Sequence, residues 1–170
     1  MTSYLRYIQK NGVSLLLGVG LLLGAGQANA VAVCSVSVTN SLTFGAYQPS
    51  VASTDTGAAE VSCISLDLTG VGYTVSLGPS GYGPGDRIST RYLNNTTNGG
   101  DYMAYNVYTD AGHNTVWGNG TIGGQFSGSL SLLVTHRTHT FYGKVPAAQS
   151  TLLTGAFSEN LIVTMTYQLL

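Results

Sequence analysis

The sequence predicts a single all-β domain, folded as a β-sandwich of about seven or eight strands. Apolar and polar residues alternate with a period of two through most of residues 31–170, which is the pattern of half-buried strands. Clusters of Gly, Pro, Asn and Ser separate the alternating runs, and no stretch keeps a helical period for three turns. The region contains no internal repeat and no long linker, so we expect one domain.

The first 30 residues have the three parts of a cleavable secretory signal peptide. Arg6 and Lys10 form a basic region, residues 13–25 are apolar and uncharged, and Ala28-Asn29-Ala30 places small residues at the spacing that a signal peptidase requires. The apolar run is shorter than the roughly 20 residues that a membrane-spanning helix needs. We therefore expect residues 1–30 to be removed and the domain to comprise residues 31–170.

Seven alternating runs follow, each with one apolar and one mostly polar face, as in antiparallel strands that cover a single core. Turn-forming residues lie between them at 78–81, 83–85, 94–95, 98–100 and 118–120. The apolar positions are Cys34, Val36 and Val38; Ala59, Val61 and Cys63; Tyr73, Val75 and Leu77; Met103, Tyr105 and Val107; Leu130, Leu132 and Val134; Phe141, Gly143 and Val145; and Leu161, Val163, Met165 and Tyr167.

The two cysteines, Cys34 and Cys63, both lie on the apolar phase of their runs. An exported chain meets an oxidising compartment, so an even cysteine count favours a disulfide over a redox or metal-binding pair. A buried bridge between two neighbouring strands is compatible with this phase. Closing a loop of about 30 residues would stabilise the fold by roughly 3–4 kcal/mol.

Charge excludes one broad class of partner. Residues 31–170 contain four basic and seven acidic residues, a net charge near −3. A nucleic-acid-binding surface needs a basic stripe, which this composition does not provide.

Eight blocks of residues, in order across 34–168, resemble the spore coat U-domain family, which also contains the pilin subunits of archaic chaperone–usher fibres. Each block is short, and the resemblance rests on their order together with the paired cysteines and the export signal. The blocks are Cys-Ser-Val-Ser-Val at 34–38, Leu-Thr-Phe-Gly-Ala-Tyr at 42–47, Val-Ser-Cys at 61–63, Gly-Tyr-Thr-Val-Ser-Leu at 72–77, Tyr-Asn-Val-Tyr-Thr-Asp at 105–110, Thr-Val-Trp-Gly-Asn-Gly at 115–120, Tyr-Gly-Lys-Val-Pro at 142–146 and Leu-Ile-Val-Thr-Met-Thr-Tyr at 161–167.

The resemblance implies an immunoglobulin-like, pilin-type β-sandwich that lacks its final strand. In this family a periplasmic chaperone lends a strand to the gap, another subunit replaces it, and an outer-membrane usher exports the fibre. We therefore expect a structural subunit of a surface pilus or a spore-coat-like layer, supporting adhesion or biofilm formation, with a chaperone, an usher and other pilin or coat subunits as partners. The resemblance also implies an intradomain Cys34–Cys63 disulfide.

By the same resemblance the last strand, expected at 160–168, borders the open groove. Leu161, Val163, Met165 and Tyr167 are the candidates for lining it, and their role as ordinary core residues is the equal alternative. Subunits that lend a strand carry about ten or more alternating residues ahead of their first strand. Cleavage after Ala30 would leave three residues before Cys34, which span about 10 Å at roughly 3.3 Å per residue. We therefore expect a subunit that accepts a strand but does not donate one by the usual route.

The sequence contains no recognisable arrangement of catalytic residues. We therefore expect that the protein is not an enzyme and binds no cofactor. Residues 118–123 match the Gly-x-Gly-x-x-Gly string, but neither the helix nor the downstream acidic residue of a dinucleotide site is present, so we interpret them as a turn. Asp86 and Arg87 are interpreted as a loop ion pair rather than an acid–base pair.

The three histidines do not predict a metal site. His136 and His139 are three residues apart, which on a strand points them to opposite faces, and His113 falls in an expected turn.

Four tyrosines, Tyr82, Tyr92, Tyr102 and Tyr108, lie in or near polar, Gly-rich surroundings. Amphipathic rings on loops make good contact surfaces for sugars or proteins, although packing at strand edges and in the core is the simpler interpretation. They keep open an alternative function, that of a stand-alone lectin-like adhesive module.

Overall fold

The computed structural model describes residues 32–65, 70–131 and 135–170. The expected signal peptide, and Leu132 and Val134 of the fifth alternating run, lie outside these residues. Every regular element in the described part is a strand, which confirms the all-β prediction. The strands are β1 Ala32–Asn40, β2 Ser53–Ser65, β3 Val71–Leu77, β4 Arg91–Asn95, β5 Tyr102–Tyr108, β6 Phe126–Leu130, β7 His136–Val145, β8 Phe157–Ser158 and β9 Val163–Leu169.

The strands form two sheets. One has six strands in the order β1-β2-β7-β5-β4-β8, and the other has three in the order β6-β3-β9. All named pairs are antiparallel. Most neighbouring strands are distant in the sequence, because the chain crosses between the two sheets, as in other sandwiches.

The core lies between the sheets and is built from the apolar phase of the alternating runs. Trp117, from the turn after β5, and Phe141, from β7, are fully buried with ring centroids 5.2 Å apart. The Trp117 indole N–H donates to the Val75 carbonyl at 3.0 Å, so its one polar group is satisfied.

Cys34 and Cys63 are opposite each other in the β1–β2 register and form a disulfide within the six-stranded sheet. Both cysteines are buried, as their apolar phase predicts. The bridge therefore ties an edge strand to its only neighbour in the described part of the chain.

Two strands differ from the prediction and two were not predicted. The fifth run was expected at 130–134, whereas β6 spans Phe126–Leu130 and contains only its first residue. The last strand begins at Val163 rather than at residue 160. β4 was not predicted because its buried polar residues, Arg91 and Asn95, break the alternation. β8 was not predicted because its two residues are too few to show a period. Among the described residues, no helix is long and apolar enough to cross a membrane.

Candidate functional site

Two sheet edges stand open on the same side of the sandwich. β1 is the outer strand of the six-stranded sheet and β9 the outer strand of the three-stranded sheet. They approach each other at one end, where the Tyr167 hydroxyl donates to the Ala32 carbonyl at 3.4 Å. Along their remaining length, neither strand has a second strand partner in the part of the chain that the structure describes. Unpaired backbone groups on such an edge can accept another strand.

The segments that continue these edges form the walls of a cavity of about 730 Å³. One wall is the connection that follows β1, and the other is the segment that leads into β9. The floor is the inner face of β4 and β5. The cavity-lining residues are Leu42, Thr43, Phe44, Gly45, Ala46, Tyr47, Pro49, Leu93, Met103, Tyr105, Val145, Gln149, Ser150, Leu152, Leu153, Thr154, Gly155, Ala156, Phe157, Ser158 and Glu159.

The first wall is held by two apolar side chains that pack on a glycine. A Cβ added at Gly143 of β7 would lie 2.6 Å from Leu42 and 2.7 Å from the Phe44 ring, so only glycine allows this close approach. Phe44 also meets the Tyr105 ring edge-on, with centroids 6.0 Å apart. The Tyr47 hydroxyl donates to the Pro146 carbonyl at 2.9 Å and fixes the far end of the wall.

The second wall is attached to the edge of the six-stranded sheet. Phe157 and Ser158 pair with the end of β4, and the Leu153 amide donates to the Asp101 carboxylate at 2.8 Å. Leu153 is 57% exposed and Leu152 and Phe157 are only half-buried, so this wall presents apolar surface that the chain itself does not cover. Such surface is a site for a partner or a liability for aggregation.

A buried carboxylate lines the cavity. Glu159 accepts hydrogen bonds from the Ser80 hydroxyl, the Gly81 amide at 2.8 Å and the Tyr105 hydroxyl at 2.6 Å. Burial, together with the neighbouring Glu159 charge, raises the pKa of Tyr105 well above its usual value. Tyr105 therefore remains a proton donor to the carboxylate. The carboxylate is committed to holding β5 and the 80–81 turn together, which is a structural role.

The four residues proposed from the sequence as groove lining lie beside the cavity rather than in its wall. Leu161, Val163 and Met165 point into the core and are buried, and Tyr167 is half-buried beside Ala32. The cavity wall is the segment just before them, residues 152–159. A strand added along β9 would pair with the backbone of these residues, while three of their side chains point into the core. The role of the four residues in lining the groove stays a prediction.

The residues that were considered as cofactor-binding or acid–base candidates lie in turns. Residues 118–123 form a tight turn in which the Asn119 side chain accepts two backbone N–H groups. Asp86 accepts hydrogen bonds from Ile88 and Ser89 within its own loop, and these lower its pKa. The interpretation of Asp86 as the ion-pair partner of Arg87 is therefore replaced by a loop-stabilising role, because backbone donors surround the carboxylate.

His113 and His139 lie in separate packing contacts, and His136 is exposed at the start of β7. His139 and the Tyr73 hydroxyl form a 2.8 Å hydrogen bond between the two sheets, and His113 lies edge-on to Tyr108. Burial is the main cause that lowers the pKa of His139 and raises that of Tyr73. No group of three or more His, Cys, Asp or Glu residues in the described ranges is arranged to hold a metal ion.

Sequence reasoning did not identify the walls at 42–49 and 152–159, or Glu159. For the first wall a signal was present, since Leu42 and Phe44 continue the alternation of β1 beyond the strand. The second wall has no such signal, because residues 149–156 are a loop without periodicity whose position depends on β4.

Comparison with known proteins agrees with this architecture. The sequence matches the Spore Coat Protein U domain family over residues 22–164. No curated protein sequence matches the chain.

Two solved structures are similar in fold. One is a chain of the CsuC–CsuE chaperone–tip adhesion subunit pre-assembly complex from the archaic chaperone–usher Csu pili of Acinetobacter baumannii, with 18% identity and a TM-score of 0.53 over 81% of this chain and 40% of that chain. The other is the P pilus rod subunit PapA, with 22% identity and a TM-score of 0.51 over 79% of this chain and 99% of that chain. The chain thus spans about two fifths of the Csu chain that it matches. Its fold is the immunoglobulin-like sandwich of pilus subunits, and because the family match covers most of its length, the chain belongs to the Spore Coat Protein U domain family.

Proposed function

We propose that the protein is a non-enzymatic structural subunit of a surface fibre or coat, and that its groove accepts a β-segment from another polypeptide. The observation that carries the proposal is the position of the groove between two open sheet edges. β1 continues into one wall, and the other wall continues into β9. A segment laid between β1 and β9 would therefore meet the unpaired outer edges of both strands and would continue onto the apolar floor of the cavity.

The directions of the edges limit how a segment can enter. β1 runs from the Tyr167 contact towards the cavity, whereas β9 runs from the cavity towards that contact, so the two edges are antiparallel. An inserted strand must be parallel to one edge and antiparallel to the other. Its alternate side chains would point to the floor, where Leu93, Met103 and Leu152 offer apolar surface.

The energy of such an insertion is sufficient for a durable joint. Four or five side chains at about 1.5–3 kcal/mol each contribute about 6–15 kcal/mol before ordering costs are subtracted. The backbone hydrogen bonds along two edges add geometric specificity rather than much net energy.

The identities of the partners follow from family and fold. A periplasmic chaperone would protect the groove before assembly, an outer-membrane usher would export the subunit, and another pilin or coat subunit would fill the groove in the assembly. Export to the periplasm and then to the cell surface agrees with the expected signal peptide and with the disulfide. The names of the similar solved structures, a pilus tip adhesion subunit complex and a pilus rod subunit, support this role.

A peptide experiment tests the groove directly. The exported protein is titrated with a 12-residue synthetic peptide of alternating apolar and polar residues, and its thermal midpoint is followed. At a peptide concentration about 100 times Kd, binding stabilises the fold by about 2.7 kcal/mol. That corresponds to an increase in Tm of roughly 5–10 °C for a domain of this size.

Two matched variants locate the effect. Leu93→Glu places a charge on the groove floor and is expected to abolish the increase, whereas Ile162→Glu places the same charge at an exposed position outside the groove and is expected to preserve it. A peptide of the same composition without alternation serves as the negative control. If both variants respond alike, or the alternating peptide has no effect, the groove is not the acceptor.

A further inference from the structure

The outer face of the six-stranded sheet carries a pair of stacked, exposed tyrosines. Tyr102 opens β5, and Tyr82 lies in the loop between β3 and β4. Their ring centroids are 6.1 Å apart with an interplanar angle of 24°, and each side chain is 39% exposed. Neither ring belongs to the hydrophobic core, so core packing does not explain the pair.

The loop that presents Tyr82 is held in place from below. The Ser80 hydroxyl accepts the Tyr82 and Tyr92 amides, both at 3.2 Å, and the Gly81 amide donates to the buried Glu159 carboxylate. The base of the loop is closed by the Ser80 amide, which donates to the Arg87 carbonyl at 2.7 Å. The loop is therefore attached both to the edge of β4 and to a buried charge.

Glycines make the loop close-fitting and its tip open. A Cβ at Gly83, where φ is +78°, would lie 2.2 Å from the Tyr92 ring, so that ring packs flat against the loop backbone. Gly81 and Gly85 have no atoms within 4 Å of an added Cβ, so the loop is open at these two positions, and Tyr82 between them is 39% exposed. The ring is thus positioned before any ligand arrives, which lowers the entropy lost on binding.

A polar side chain stands beside the ring pair. Asn94 is opposite Tyr102 in the β4–β5 register and so shares its face. Within the described residues its side-chain amide has no hydrogen-bond partner, and neither do the hydroxyl groups of Tyr82 and Tyr102. Flat aromatic surface next to free amide and hydroxyl groups suits a ligand that has both C–H faces and hydroxyl groups.

The charges near the rings favour a neutral ligand. The loop contains Asp86 and Arg87, and Asp101 directly precedes Tyr102, so the neighbourhood has two carboxylates and one guanidinium. Hydrogen bonds from Ile88 and Ser89 lower the pKa of Asp86, which keeps it ionised at neutral pH. An excess of negative charge disfavours anionic ligands.

We propose that Tyr82, Tyr102 and Asn94 form a binding site for the sugar rings of a neutral polysaccharide. The site lies on the opposite face of the sheet from the groove, because the neighbouring residues of β4 and β5 face inward. These inward-facing residues are Arg91, Leu93, Met103 and Tyr105. Sugar binding and strand insertion are therefore compatible, and an assembled subunit keeps the site open. This inference goes beyond the structural role, which does not require it.

The test is affinity electrophoresis of the exported protein in native gels that contain hydroxyethylcellulose, galactomannan, dextran or alginate. At least one of the three neutral polymers is expected to retard the protein, and the anionic alginate is not. Tyr82→Ala and Tyr102→Ala should each weaken binding by about tenfold. Tyr82→Phe and Tyr102→Phe retain the rings and should bind within a few fold of the wild type.

Ile162→Ala removes an apolar side chain of similar exposure outside the site and is the matched control, expected to bind normally. Thermal melts establish that each variant is folded. Three results would overturn the proposal: no retardation by any neutral polymer, equal retardation of the wild type and the Tyr82→Ala/Tyr102→Ala double variant, or stronger retardation by alginate. Adsorption to octyl-agarose without retardation by sugars would also overturn it, because the rings would then be a general apolar contact.

Discussion

Replacing Arg91 with methionine should destabilise the fold more than any surface substitution. The guanidinium is fully buried and donates to the Leu77, Gly78 and Trp117 carbonyls and to the Asn106 side chain, at 2.6–3.1 Å. It thereby joins the end of β3, the strands β4 and β5, and the turn that contains the core tryptophan. Burial lowers the pKa of Arg91 to about 10, so the group remains charged at neutral pH.

The magnitude follows from the acceptors that would be left behind. Methionine retains much of the stem volume but donates nothing, so four oxygens lose a hydrogen bond at about 1 kcal/mol each, or about 4 kcal/mol in total. The Asn106 side-chain oxygen still accepts the Val107 amide, whereas the three carbonyls lose the arginine as a donor. Three of these oxygens are main-chain carbonyls, which no side-chain change can replace with apolar groups. The usual finding that a buried ion pair can be exchanged for hydrophobic residues does not apply for that reason.

Urea unfolding followed by tryptophan fluorescence measures the effect, and about 4 kcal/mol corresponds to a fall in Tm of about 12 °C. Arg91→Lys should lie between, because one ammonium has only three donors. Arg87→Met is the control, since that guanidinium makes one long bond of 3.4 Å to the Gly81 carbonyl in a surface loop. If Arg91→Met and Arg87→Met differ by less than about 1 kcal/mol, buried hydrogen bonding does not explain the position of Arg91.

Two further predictions concern pH and oxidation. The pKa of His139 is lower in the folded protein than its usual 6.5, so the unfolded chain binds the proton more tightly. The contribution of His139 to the free energy of unfolding is complete above pH 6.5 and is lost as the pH falls through the folded pKa. Urea titrations at pH 5 and 7.5 measure this loss of stability, and His139→Gln should reduce it. An unchanged pH dependence would contradict the assignment. Replacing Cys34 and Cys63 with alanine should lower the unfolding free energy by about 3–4 kcal/mol under oxidising conditions. The reduced wild type should lose the same amount if the disulfide is the cause. A double-alanine variant as stable as the oxidised wild type would exclude a stabilising role for the disulfide.

Strands that obey the two-residue period were predictable, and those that break it were not. β1, β3 and β5 coincide with alternating runs because each has one face on the core, and β7 contains such a run in its C-terminal half. β4 has a buried charge and a buried amide, Arg91 and Asn95, at its inner positions, so it appeared polar. The inner face of β4 can be buried because both polar side chains have hydrogen-bond partners. Arg91 donates to distant carbonyls, and Asn95 accepts from loop amides.

β6 was misplaced for a related reason. Its sequence Phe-Ser-Gly-Ser-Leu has a glycine where an apolar residue would be expected, because a Cβ at Gly128 would lie 2.6 Å from the Tyr73 hydroxyl of the neighbouring strand. The N-terminal half of β2 is similar, since Gly57 lies directly against the Phe141 ring. The missing side chain is thus a consequence of packing that no local pattern contains.

By itself the sequence determined the all-β class, the apolar face of most strands, the cysteine pairing and the family, because these depend on local alternation and on residue identity. Only the tertiary structure decided where the groove lies, which loops form its walls, and that Tyr82 and Tyr102 meet on the opposite face. The physical reason is that those features join residues far apart in the chain, whose approach depends on sheet order and on buried polar contacts such as those of Arg91 and Glu159.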